Sequence, residues 1–141
     1  MLKINPWWVS LSQPQRVCQP SSAGVVDKEV LAGCFLCLVV GDRPGEPLLA
    51  CGMAWVTYHL PGPHWPDGRR GYLDGIVTDA PARGRGYARR IVDELVDWLN
   101  GAGIHYIQLH TSQAGRPVYE AAGFVDGRYP GMDLITALRD R

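Results

Sequence analysis

Between residues 83 and 90 the chain reads RGRGYARR, two glycines and four arginines in eight residues. A Gly-x-Gly turn that opens a helix suits an anion. The N–H groups of a first helical turn have no intrahelical acceptor, and the helix dipole adds about half a positive charge there. Gly84 and Gly86 let a ligand approach the backbone closely, and Arg83, Arg85, Arg89 and Arg90 set charge around the rim. The common phosphate motifs do not fit. The dinucleotide fingerprint G-x-G-x-x-G fails at Arg89, and no G-K-[ST] follows the last glycine as a Walker loop requires. On spacing alone the segment is either an anion cradle or an exposed basic helix start.

The cysteines offer a weaker chemistry. Cys34 and Cys37, in CFLC, have metal-like spacing, but their surroundings are apolar, no second C-x-x-C follows and no His pair has ligand spacing. Cys18, Cys34, Cys37 and Cys51 therefore read as reduced, buried side chains, and no metal site is expected.

The elements that position the Gly-x-Gly turn follow from periodicity. After Gly86, Ala88, Ile91, Val92, Leu95, Val96 and Leu99 form one face of a helix, with Arg89–Asp93 and Arg90–Glu94 paired at i, i+4 on the other. NGAG ends that helix, with Asn100 or Gly101 suited to the left-handed position. Before the turn, YLDGIVT (72–78) reads as a strand, broken by DAPA; after the helix, IHYIQLH (104–110) reads as an alternating strand. Strand, helix, strand makes a βαβ unit with parallel strands. Upstream, CFLCLVV (34–40) and LLACGMAWVTYHL (48–60) read as an antiparallel hairpin, and a short helix is expected over 23–31. Between the hairpin and residue 72, PGPHWPDGRRG packs three prolines and three glycines into eleven residues and reads as a loop. TSQAGRPVYEAAGF reads as a short helix, capped by Thr111 or Ser112 and ended by Gly123, and MDLITAL (132–138) as a closing strand.

Bulk properties bound the rest. At 141 residues, 46% hydrophobic and 20% charged, the chain fits one globular domain. Net charge is zero, so no global basic field draws in nucleic acid, and an RG-type nucleic-acid tract is disfavoured. No apolar run reaches membrane-spanning length and no signal-like stretch opens the chain, so a cytoplasmic location is the default expectation.

With the elements in place, R-G-R-G-Y-A resembles the R/Q-x-x-G-x-G/A signature of the GNAT family of N-acetyltransferases, with Arg83, Gly86 and Ala88 in its three fixed positions. Strand, acidic turn, signature and long helix match the family's order. YEAAGF (119–124) resembles its second motif, an aromatic-containing helix closing on Gly-Phe. The resemblance is good over 72–138 and extends from 33. Over 1–32 it is poor: GNAT domains usually begin with a strand and two helices, and the N-terminal part here reads as shortened. The implied fold is a single α/β (α+β) domain with a central mixed, mostly antiparallel sheet, a splayed parallel strand pair and flanking helices.

The resemblance also implies roles. The co-substrate is acetyl-CoA or another acyl-CoA, with no metal. Its pyrophosphate lies on backbone N–H groups of Arg85, Gly86, Tyr87 and Ala88, with Arg83 and Gly84 leading in and Arg89 adjacent. Its pantetheine runs along Ile76, Val77 and Thr78, and an N–H near Val77 holds the oxyanion. Tyr119 protonates the departing thiolate; the other reading makes it a core aromatic. Asp74 is the first choice of general base, with His110 as a water-mediated relay. Ser112 caps its helix or touches pantetheine. His59, His64 and Trp65 border the acceptor pocket. The reaction is direct attack by an amine, from a small molecule or a peptide, without a covalent enzyme intermediate. The alternative is a non-catalytic acyl-CoA-binding module. Trp7 and Trp8 suit a homodimer contact.

Overall fold

In the computed structural model, the backbone is described for residues 15–16, 25–31, 35–41 and 47–135, and side chains for 35–41 and 47–135. Six strands form one sheet in sequential order: β1 (Gln15–Arg16), β2 (Val25–Leu31), β3 (Phe35–Gly41), β4 (Ala50–Tyr58), β5 (Arg69–Thr78) and β6 (Ile107–Leu109). Every neighbouring pair is antiparallel except β5–β6, which is parallel. Helix α1 (Tyr87–Gly101) makes the crossover between β5 and β6, and α2 (Arg116–Ala121) follows β6.

The core lies between one sheet face and α1. Leu36, Leu38 and Val40 of β3, Ala50 and Ala54 of β4 and Leu73 of β5 meet Ile91, Val92, Leu95 and Leu99 of α1. Strand alternation turns the next residues to the opposite face, where Phe35, Cys37, Cys51, Met53, Trp55 and Tyr72 are only half-buried. The expected Arg89–Asp93 and Arg90–Glu94 pairs form on the outer side of α1.

Four expectations are corrected. Residues 25–31 form strand β2, not a helix: paired in full register with β3, Val25 to Leu31 gain a ladder of backbone bonds that outweighs the helix preference of so short a segment. Residues 132–135 lie in no strand and are exposed, and the remainder of the expected closing strand lies outside the described residues. The left-handed residue after α1 is Gly103 (φ 77°), because the helix runs through Asn100 and Gly101. Beyond it, Ile104 is buried with its N–H donating to Leu99 O at 2.9 Å, and the strand expected over 104–110 is shorter, Ile107–Leu109.

The proline-rich loop is anchored rather than loose. Trp65 stacks on Tyr106 with ring centroids 4.3 Å apart, and the Arg70 guanidinium lies over both rings, at 5.5 and 5.2 Å. This cluster closes the end of the sheet where β5 begins.

Candidate active site

The cradle is built from a broken strand end. At the end of β5, Asp79 Oδ1 accepts from Ala80 N–H at 3.0 Å and caps a short 3-10 turn, Ala80–Ala82. Arg83 Nε then donates back to Thr78 O at 3.2 Å, tying turn to strand. Gly84 and Gly86 both hold left-handed backbone (φ 76° and 81°), which reverses the chain directly into α1. The first bond inside the helix runs from Arg90 N–H to Gly86 O at 3.1 Å, so the N–H groups of Tyr87, Ala88 and Arg89 have no intrahelical acceptor. Among the described residues, apart from the adjoining ones, no atom lies within 4 Å of where a Cβ would stand on Gly84 or Gly86. The two left-handed glycines make the turn into the helix, and the space in front of them leaves its free N–H groups open to an anion.

A gap opens beside the cradle. The β5–β6 ladder runs from Gly71–Ile107 to Leu73–Leu109 and stops. One residue later β5 bulges: Asp74 opposes Met53 and Val77 opposes Cys51, so β5 carries one residue more than β4 across that interval. Gly75, at φ 61°, supplies the positive φ such a bulge takes. Past the bulge β5 has no partner on its β6 side among the described residues. A cavity of about 270 Å³ fills the divergence, lined by Asp74, Gly75, Ile76, Val77, His110, Thr111, Ser112, Gly115 and Tyr119. Nearby, Thr78 Oγ1 is buried without a hydrogen-bond partner among the described residues.

The expected site residues fall into three groups. Asp74, Ile76, Val77, Ser112 and Tyr119 share the gap, and His110 joins them. Thr78, Arg83, Gly84, Arg85, Gly86, Tyr87, Ala88 and Arg89 form the strand end and cradle. His59, His64 and Trp65 line neither cavity; Trp65 is held by Tyr106 and Arg70, and His59 Nε2 bonds Thr57 Oγ1 at 3.1 Å. They sit in the loop between β4 and β5.

Electrostatics suit proton transfer in the gap. Burial, and secondly the negative charge of Asp74, push the Tyr119 phenol above its ordinary value, so it stays protonated. Its ring packs edge-on against Phe124, with centroids 6.0 Å apart. The Asp74 carboxylate accepts from Gly75 N–H at 2.7 Å. Ser112 Oγ accepts from Gly115 N–H at 3.2 Å in the turn before α2 and lines the cavity; the N-cap of α2 itself is Gly115, with no side-chain cap, so the expected Thr111 or Ser112 cap is corrected.

Sequence reasoning missed one participant. Tyr72 hydrogen-bonds His110 Nδ1 through its hydroxyl, and burial, then Asp74, raise its phenol too. Its register opposite Gln108, two residues before His110, creates the contact. No local pattern links positions 38 apart. The bulge did have a signal: an isolated glycine inside the strand pattern YLDGIVT.

Comparison with known proteins agrees with this architecture. The family model described as the acetyltransferase (GNAT) family matches residues 7–124. A rice (Oryza sativa subsp. japonica) protein named probable glucosamine 6-phosphate N-acetyltransferase 2 is 37% identical over 93 residues, which is 63% of this chain and 54% of that protein. A second rice protein, named glucosamine 6-phosphate N-acetyltransferase 1, is 36% identical over 59 residues, 42% of this chain and 36% of that protein. The matched stretches thus span about half or less of these relatives' length. Among solved structures, a predicted acetyltransferase with acetyl-CoA from Clostridium acetobutylicum superposes with a TM-score of 0.64 at 27% identity, covering 71% of this chain and 64% of that one. Glucosamine-6-phosphate N-acetyltransferase from Arabidopsis thaliana shares the fold with a TM-score of 0.64 at 17% identity, over 73% of this chain and 68% of that one. With left-handed glycines opening α1, a parallel pair that splays at a bulge, and a family match over most of its length, the chain belongs to the acetyltransferase (GNAT) family.

Proposed function

We propose that the chain is an N-acetyltransferase that takes an acetyl group from acetyl-CoA and delivers it to an amine by direct attack. The observation that carries this reading is the divergence of β5 and β6 after Leu73–Leu109, beside a helix start with three acceptor-free N–H groups. The diphosphate fits the cradle, because open space fronts Gly84 and Gly86 and the dipole of α1 favours negative charge. The unpartnered Oγ1 of Thr78 and the open edge of β5 at Ile76 and Val77 suit the amide-bearing pantetheine arm. When bound, acetyl-CoA supplies an activated thioester; the chain's residues do the rest.

The acceptor arrives as an ammonium and must attack as a neutral amine. Asp74, at the mouth of the gap, takes its proton, and the neighbouring Tyr72–His110 pair offers an exit to solvent. A backbone N–H at Ile76 or Val77 holds the carbonyl oxygen as the amine nitrogen bonds to the acetyl carbon. The carbon–sulfur bond then breaks. Tyr119, kept protonated by burial and by Asp74, gives its proton to the leaving thiolate, and the second proton, which the acetylated nitrogen sheds as it becomes an amide, returns through water to the Tyr119 oxygen.

Calorimetry with acetyl-CoA and thiol release on an amine panel test the reading. Saturable binding with thiol release on at least one amine is expected. Binding without release on any amine would instead identify a non-catalytic acyl-CoA module. The rice relatives' names contain a sugar-phosphate acceptor; the outer sheet face argues for another class here.

A further inference from the structure

Strand register lays two rows of side chains across the outer face of the sheet. Phe35 of β3 opposes Trp55 of β4, which opposes Tyr72 of β5; the next row is Cys37, Met53 and Asp74. The first row is aromatic throughout, and the Trp55 and Tyr72 rings lie 5.1 Å apart, tilted by 34°. The second row ends in a carboxylate. Between the rows lies a groove of about 410 Å³, lined by Phe35, Met53, Trp55, Asp74 and Gly75. Asp74 and Gly75 also line the gap between β5 and β6, so the two cavities meet at the expected point of proton transfer.

Resting on the transferase reading above, we infer that this groove is the acceptor site and that it selects amines with a flat apolar body and no phosphate. The groove's volume suits a small ligand. An aromatic body covers Trp55, Phe35 and Met53, removing apolar surface from water. Its ammonium meets Asp74, the only charged residue lining either cavity among the described residues. Among the described residues, a phosphate on the acceptor would find no Lys or Arg in either lining and would lie against that carboxylate, so like charge rejects it.

The test compares thiol release from 2-phenylethylamine with that from glucosamine 6-phosphate on the full chain at saturating acetyl-CoA, alongside calorimetry of acetyl-CoA binding. The expected kcat/KM for 2-phenylethylamine is at least about tenfold the higher, and Trp55→Ala raises its KM at least about fivefold with acetyl-CoA affinity unchanged. Equal or better use of glucosamine 6-phosphate overturns the acceptor class and leaves the transferase reading standing. An unchanged KM in Trp55→Ala overturns the groove as its location. No release from either amine but release from another of the panel overturns the acceptor class alone; acetyl-CoA binding with no release from any amine overturns both readings, as does failure to bind acetyl-CoA. The substrate comparison uses the unaltered chain, so it decides even if Trp55→Ala does not fold.

Discussion

At the scale of single residues, the account turns on Tyr119 and Asp74. Tyr119→Phe removes one oxygen and leaves the ring against Phe124, so the fold and acetyl-CoA binding should survive. The expected loss is in kcat, on the order of 100-fold, measured with acetyl-CoA affinity as the control. The pH dependence has a definite sign. Tyr119 is raised by burial and by Asp74, so its acid form persists through the usual phenol value of about 10 and is lost only above it. Tyr119 should therefore impose no alkaline fall in kcat below about pH 10, and a kcat–pH profile against Tyr119→Phe checks this. Tyr119 was legible because it lies in YEAAGF, and Asp74 because it lies on the strand before the signature. Tyr72 and His110 were not legible as a pair, since only the parallel register of β5 and β6 brings them together.

Elements set the geometry those residues need. The bulge at Gly75 ends the β5–β6 ladder's reach, and its φ of 61° is one that a side chain rarely adopts. A Cβ there would also stand 3.1 Å from Met53 Cε. Gly75→Ala is expected to cost about 1–3 kcal/mol in denaturant unfolding. Its kcat should fall further than that of a surface control of equal stability. At the cradle, Gly86→Val forces a branched side chain into φ 81° at the start of α1. Acetyl-CoA affinity should drop at least about tenfold by calorimetry, since three N–H groups lose their common aim. The sequence displayed α1 plainly, because Ile91, Val92, Leu95 and Leu99 recur at helical spacing and are all buried. It did not display β2. Residues 25–31 carry Asp, Lys, Glu and Leu among their valines, and only pairing with β3 makes them a strand. Tertiary pairing also extended β5 back to Arg69, where Arg70 stacks on Trp65 and Tyr106.

For the molecule as a whole, the two faces of the sheet divide the labour. One face, with Leu38, Leu73, Leu95 and Leu99 almost wholly buried, holds the domain together. Leu95→Ala should cost about 2–5 kcal/mol by denaturant unfolding without altering the acceptor preference of the folded fraction. The other face carries the aromatic row and ends at Asp74, where the two cavities meet. Family and sheet class were legible because two motifs and the strand between them occur in order. The acceptor was not, because the groove is assembled from single side chains on three strands, far apart in sequence and joined only by register. Trp7 and Trp8, the expected dimer contact, lie outside the described residues. The most direct test of the central claim is a product analysis by mass spectrometry, with the full chain, acetyl-CoA and 2-phenylethylamine incubated together. The account predicts N-acetylated amine and free CoA in equal amounts, greatly slowed in Tyr119→Phe. Bound acetyl-CoA that yields neither product from any amine would contradict it.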